Sequence, residues 1–204
     1  MTTTKPLLVL DLNGIFCYKR NDKDKDEILS DSCIVIARKH YDIIINPYIK
    51  DFVKKCIQKY DIGIFSSTKW FNIEPMLKHI FKNTKKYFKF IWCRDRTRLD
   101  PNYEKVDDIK KFDTIKMLKD IIEHPDINQA RDYGFHNIVL CDDSQIKTRY
   151  NPIQNIIIVE PWIPGKPFDT KSLLENIDEQ FNILRGINNT QINRPRRRYR
   201  SNSI

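Results

Sequence analysis

The chain has 204 residues, 40% of them hydrophobic and 31% charged, with a formal net charge of +9. That length suits one domain with a sizeable core. No apolar run approaches the roughly 18 residues that a membrane span needs, which excludes a membrane-spanning helix. The opening Met1-Thr2-Thr3-Thr4-Lys5-Pro6 has no apolar signal core, so the expectation is an intracellular protein.

Read in chain order, short aliphatic runs alternate with helical stripes, the pattern of strands and helices around a mostly parallel sheet. Leu7 to Leu12 predicts a first strand, and Asn21 to Glu27 a charged loop. Cys33-Ile34-Val35-Ile36 and Asp42-Ile43-Ile44-Ile45 predict a strand pair inserted as a small β-flap after it. Asn46-Pro47 is a helix entry, followed by Ile49, Phe52, Val53, Cys56, Ile57 and Tyr60 on one face. Ile62 to Phe65 predicts a strand, and Trp70 to Phe81 a helix in which Pro75 must lie in the first turn or bend it. Ile115, Leu118, Ile121 and Ile122 predict a further helix, and Ile138 to Cys141 and Ile156 to Val159 two more strands. A last helix carries Leu173, Leu174, Ile177, Phe181 and Leu184, capped by Thr170 or Ser172.

Residues 1–186 are thus expected to form one α/β domain, and 187–204 a flexible basic tail. The tail contains Arg194, Arg196, Arg197, Arg198 and Arg200 and no acid. It reads either as a polyanion, nucleic-acid or nuclear-localisation patch or as a disordered end without a dedicated partner. The five cysteines are scattered singly, as reduced thiols are, and lack the close pairs of a zinc site. His79 and His136 have no ligand-like neighbours and are assigned no role.

In open α/β sheets, ligands bind beyond the carboxyl ends of the strands. The residues there are Asp11 and Asn13, Ser66 and Ser67, and Asp142 and Asp143. A buried strand that ends in a carboxylate must bring it to a cation, a donor or water. Two such strands side by side would make a divalent-cation site.

This order of motifs resembles the haloacid-dehalogenase superfamily, and within it the RNA polymerase II C-terminal-domain phosphatase or NLI-interacting-factor family. The resemblance spans roughly residues 5 to 165. It rests on Leu10-Asp11-Leu12-Asn13-Gly14-Ile15, Asn46-Pro47-Tyr48 with Phe52, Phe65-Ser66-Ser67-Thr68, Trp92-Cys93-Arg94-Asp95, Lys116-Met117-Leu118 and Asp142-Asp143-Ser144. It implies a Rossmann-like sheet and Mg²⁺-dependent hydrolysis of phosphomonoesters, with a phosphoprotein or phosphopeptide as substrate. Asp11 would be the nucleophile that becomes an aspartyl phosphate. Asp11, the Asn13 carbonyl and Asp142 would hold Mg²⁺, with Asp143 orienting its waters or Lys116. Ser66 would donate to the phosphoryl oxygens, Ser67 and Arg94 would face the substrate, and Lys116 would place a cation against the spreading charge.

The pattern breaks at Asn13, where the family has a second Asp, and at Ile15, where it has Thr. In the family that Asp protonates the leaving oxygen and then deprotonates water, a role worth roughly 10²–10⁴-fold in rate. An amide does neither, so turnover of phosphoserine should suffer more than that of aryl phosphates. The same change keeps alive a catalytically silent phosphopeptide-binding module. The Asn13-Gly14 pair is also prone to deamidation.

Simpler readings stand beside these. Asn13-Gly14 is a strong hairpin signal. Ser66, Ser67 and Thr68 suit a helix cap, and Asp142-Asp143-Ser144 a capped helix start. Lys116 with Asp120 suits a solvated surface pair, leaving Lys119 and Lys110-Lys111 as rivals for the catalytic lysine. Arg96 and Arg98 rival Arg94. Lys78, Lys82, Lys85, Lys86 and Lys89, interleaved with Phe81, Tyr87 and Phe88, read as a nucleic-acid surface or as a solvated helix end.

Overall fold

The computed structural model describes residues 5–21, 34–37, 41–101, 114–128 and 131–192, the last five as backbone only. Its centre is a parallel five-stranded sheet in the order β10-β9-β1-β5-β6. The strands are β1 (Leu7–Leu10), β5 (Asp61–Phe65), β6 (Phe90–Trp92), β9 (Ile138–Asp142) and β10 (Ile156–Ile158). β1, β5 and β9 are buried at every position, which is why their sequences run apolar without alternation. From β1 the chain builds outward to β5 and β6, then crosses back to add β9 and β10 on the other side. The order therefore reverses between β1 and β9, and the crevice at such a switch point is where α/β sheets bind ligands.

Residues alternate between the two faces of the sheet. Leu8, Leu10, Ile62, Ile64, Val139 and Cys141 join a core with Phe52, Val53 and Cys56 of α1 (Ile49–Lys59), Met76 and Leu77 of α2 (Trp70–Phe81), and Ile177 and Phe181 of α6 (Thr170–Ile192). Leu7, Val9, Ile138 and Leu140 face the other way, against Leu118 and Ile121 of α3 (Leu118–Ile122). Gly63 lies within β5 because the Phe90 ring covers it: a β-carbon there would stand 2.2 Å from Phe90 Cζ. α4 (Pro125–Asn128) and α5 (Gln145–Thr148) are single short turns.

The insertion after β1 is a three-stranded antiparallel sheet, β2 (Cys17–Asn21), β4 (Tyr41–Ile45) and β3 (Val35–Ala37), in the order β2-β4-β3. The expected pair of strands is thus a triplet, and Cys33 and most of the charged loop lie outside the described residues. A buried Arg20–Asp42 ion pair at 2.8 Å joins β2 to β4. The hairpin alternative fails because β1 pairs in parallel with β5 and β9.

Other boundaries move for local reasons. α1 begins at Ile49, because the buried Asn46 side chain forms the turn before it: Oδ1 accepts from Tyr48 N at 3.0 Å and Nδ2 donates to Ile15 O at 2.8 Å. Pro75 falls in the second turn of α2 rather than the first. The helix expected from Ile115 starts at Leu118, since Thr114–Ile115 forms β8, paired with β7 (Arg98–Leu99). The cap of α6 is Asp169, which accepts from Ser172 N at 3.0 Å and from its Oγ at 2.7 Å. α6 continues to Ile192, past the boundary expected at 186, and the arginines of the tail lie outside the described residues. Among the described residues no helix is long and apolar enough to cross a membrane.

Candidate active site

The register of the sheet assembles the site. Leu10 pairs with Cys141, so the next residues, Asp11 and Asp142, emerge side by side from β1 and β9. Asp11 N donates to Cys141 O at 2.9 Å. Both carboxylates are almost completely buried. Lys116, also fully buried, reaches between them: its Nζ donates to Asp142 Oδ2 at 2.5 Å and stands 2.8 Å from Asp11 Oδ1. Carboxylate oxygens of Asp11, Asp142 and Asp143 lie within 4.8 Å of one another.

One buried ammonium stands against three acids. Burial works to lower the pKa of Lys116, but the charges of Asp11 and Asp142 outweigh it and hold the ammonium above its ordinary value. Burial and then the Asp11 charge push the Asp142 carboxyl up to about 6, against the pull of Lys116. The same two causes raise Asp143. Asp11 Oδ1 and Asp143 Oδ1 are buried without a directed hydrogen bond. Buried carboxylate oxygens with spare lone pairs and a net negative surplus fit a hard divalent cation.

The chain around the pair is tightly tied. Gly14, at φ +82, donates to Cys17 O at 2.8 Å and accepts from Trp162 N at 2.7 Å. A β-carbon on Gly14 would lie 2.7 Å from Asp143 Oδ2, so glycine both allows the turn and admits the third acid. Asp142 Oδ1 accepts from Ser144 N at 2.9 Å, tightening the turn into α5. Ser66, at the end of β5, is buried, and its Oγ accepts from Thr68 N at 3.2 Å. It caps this turn and not α2, which lacks a side-chain cap.

Asn13, Ser67 and Arg94 line a cleft of about 340 Å³ beside the acids, walled by the flap and the start of α2. Ser67 Oγ is buried without a hydrogen-bond partner. Of the rival arginines, Arg98 pairs with Asp120 and Arg96 lies over the Trp92 ring, leaving Arg94 as the arginine of the cleft. Cys17 also lines it, but burial and the nearby acids push its thiol up to about 12, so it stays protonated.

A family model described as NLI interacting factor-like phosphatase matches residues 6–190. The chain belongs to that family. It is similar to an uncharacterised FCP1 homology domain-containing protein of Schizosaccharomyces pombe, 26% identical over 162 residues, which are 77% of this chain and 62% of the relative. Its fold is similar to that of an arginine-to-alanine variant of fission yeast RNA polymerase II CTD phosphatase Fcp1 bound to beryllium fluoride: TM-score 0.53, 16% identity, 88% of this chain and 50% of that one. A second structure of Fcp1, described as an essential RNA polymerase II CTD phosphatase, gives a TM-score of 0.51 at 18% identity over 88% and 49% of the two chains. The chain thus spans less than two thirds of each relative. The mostly parallel sheet flanked by helices is the fold it shares with these Fcp1 structures, and the one expected for a haloacid-dehalogenase-type domain.

Within this phosphatase-like domain, the structure brings Asp11, Lys116, Asp142 and Asp143 together, sets Ser66 just past the neighbouring β5, and lines the cleft with Asn13, Ser67 and Arg94. Lys116 is not a surface partner of Asp120, which holds Arg98. Lys119 is exposed and pairs with Glu123, and Lys110 and Lys111 lie outside the described residues. Of the lysine-rich segment, Phe81 and Phe88 are core residues, and Lys78 and Lys89 pair with Glu74 and Asp61.

One residue of the site escaped sequence reasoning. Asn151 donates from Nδ2 to Lys116 O at 2.7 Å and accepts at Oδ1 from Leu118 N at 2.7 Å. It grips the backbone on both sides of Met117 and so fixes the root of the catalytic-lysine candidate. Only its neighbour Pro152, a turn signal, hinted at a fixed loop there.

Proposed function

We propose that this domain is a Mg²⁺-dependent phosphomonoester hydrolase acting on phosphoproteins through an aspartyl-phosphate intermediate. The observation that carries the reading is the buried Asp11–Lys116–Asp142 arrangement, with Asp143 beside it, at the switch point of the sheet. An Asp11 carboxylate oxygen attacks phosphorus, and the ester P–O bond breaks with its electron pair leaving on the substrate oxygen, which takes up a proton. Water then attacks the acyl phosphate, releasing phosphate and restoring the carboxylate. Lys116 offsets charge next to the nucleophile, while Ser66, Ser67 and Arg94 hold the phosphoryl group and its carrier. Asp11, Asp142, Asp143 and the Asn13 carbonyl are the groups that would hold Mg²⁺. When bound, it supplies charge neutralisation between an anionic nucleophile and an anionic substrate.

Asn13 supplies no acid, so the leaving oxygen must find its proton in solvent. Aryl phosphates, which leave without one, are therefore the better substrates. That same amide favours a second reading, a phosphopeptide-binding domain that turns over slowly or not at all. An intracellular setting fits the phosphoprotein substrate, and the arginine-rich tail suits a nuclear address or a polyanion contact.

The test is p-nitrophenyl phosphate and phosphoserine-peptide hydrolysis with and without Mg²⁺, using Asp11→Asn as control. Mg²⁺-dependent turnover that vanishes in the control is the expected result. Peptide binding without Asp11-dependent turnover would replace the hydrolase with the binding domain.

A further inference from the structure

The cleft beside the acids has two walls of matching design. On the flap, Cys17 and Lys19 of β2 and Tyr41 and Ile43 of β4 line it, with Lys19 paired to Ile43 in register. Lys19 Nζ stands 4.5 Å from the centre of the Tyr41 ring. Opposite, Lys69, Phe71, Ile73 and Met76 line it from α2 and the residue before it, with Lys69 Nζ 5.9 Å from the centre of the Phe71 ring. Arg94 also lines it, and among the described residues no carboxylate does. Among the described residues, neither Lys19 nor Lys69 is in an ion pair, although the chain pairs many of its other surface lysines. Two exposed ammonium groups are thus held near rings in a cleft that Asn13 and Ser67 also line and in which the described residues place no acid.

We propose that this cleft is an anion subsite, and that the substrate is a phosphopeptide with acidic residues flanking the phosphorylated one, gripped between Lys19 and Lys69. The inference rests on the hydrolase or phosphopeptide-binding reading above and names its substrate class. Charge complementarity points to acidic side chains. A single-stranded nucleic acid is the less fitting ligand. Strand binding needs a series of rings on which successive bases stack, and the described lining offers two, Tyr41 and Phe71, each with an ammonium near one face.

The test is binding of fluorescent phosphoserine peptides to the full chain, with aspartates, alanines or lysines on both sides of the phosphoserine. Binding by Asp11→Asn protein reads the subsite without chemistry, so a failed hydrolase and a failed subsite give different results. Exposed ion pairs give a few tenths to one kcal/mol each, so the aspartate peptide should bind roughly three- to tenfold more tightly than the alanine peptide. Lys19→Gln with Lys69→Gln should bring that ratio to about one, and Lys19→Glu with Lys69→Glu should turn the preference towards the lysine peptide. Equal binding of the aspartate and alanine peptides, a preference that survives in the glutamine variant, or a 5′-phosphorylated oligonucleotide that outcompetes the aspartate peptide would each overturn the proposal.

Discussion

Lys116 Nζ sits 2.8 Å from Asp11 Oδ1 and 2.5 Å from Asp142 Oδ2, with all three side chains shut away from solvent. Removing one member of a buried pair strands the other charge, at a cost of about 3–5 kcal/mol. Lys116→Met should therefore lower the metal-free melting temperature by several degrees. It should also cut turnover by about 10²–10³-fold, the usual loss for one preorganised charge-stabilising donor. Thermal unfolding and p-nitrophenyl phosphate kinetics on the same preparations check both halves. A variant as active as wild type would remove Lys116 from the chemistry.

One ammonium, Lys116, serves Asp11 and Asp142, and Asp143 Oδ1 is buried without a hydrogen-bond partner, a source of instability that a divalent cation relieves. Millimolar Mg²⁺ should raise the melting temperature of wild-type protein through binding linkage. The rise should shrink in Asp143→Asn and disappear in Asp142→Asn. Chelation by EDTA should reverse it.

Asn13, at the position where the resemblance puts the family's acid, lines the cleft proposed to take the substrate. Asn13→Asp should raise phosphoserine-peptide turnover by about 10²-fold or more while changing p-nitrophenyl phosphate turnover far less, because only the alkoxide needs the proton. Equal changes for both substrates would mean that another group delivers it.

Two polar contacts join α1 to α6 and make a pH-sensitive seam. Lys59 Nζ donates to Asp178 Oδ2 at 2.5 Å, and Tyr60 Oη donates to its Oδ1. Burial would raise the Asp178 carboxyl, but the bonds from Lys59 and Tyr60 prevail and hold it below its ordinary value of 3.8. A depressed carboxylate stabilises the fold above the unfolded-state pKa, and that contribution is lost as pH falls through the folded-state value. Asp178→Asn should thus flatten the acid limb of the stability curve below about pH 4. The effect should be under about 1 kcal/mol, since the seam is partly solvated.

How much of this was legible in the sequence depended on whether the signal was local. The acids at the ends of β1 and β9 were visible because a fully buried strand announces itself as an unbroken aliphatic run, and a carboxylate at its end stands out. β2 was hidden, since Cys-Tyr-Lys-Arg-Asn holds Arg20 inside by pairing it with Asp42 across the flap. β6, three residues long, lies within a lysine-rich stretch whose aromatics gave no period to read. The helical stripe beginning at Ile115 puts Lys116 on a helix. In the fold it precedes α3 in extended backbone, where helical spacing says nothing about its direction.

Asn151 was invisible for the same reason, because its partners lie 33 and 35 residues away. Its amide fits the gap between Lys116 O and Leu118 N as donor and acceptor at once, and Nδ2 also reaches Thr148 O at 2.9 Å. Asn151→Asp keeps the acceptor and loses the donor, whereas Asn151→Ala loses both. If Asn151 positions the lysine, kcat should fall in the order wild type, Asp, Ala, with KM for p-nitrophenyl phosphate little changed, because the group displaced acts on charge that develops in the transition state. A merely structural role would lower the melting temperature and leave kcat per folded molecule intact. Active-site titration by trapped phospho-enzyme, combined with calorimetry on both variants, separates the two.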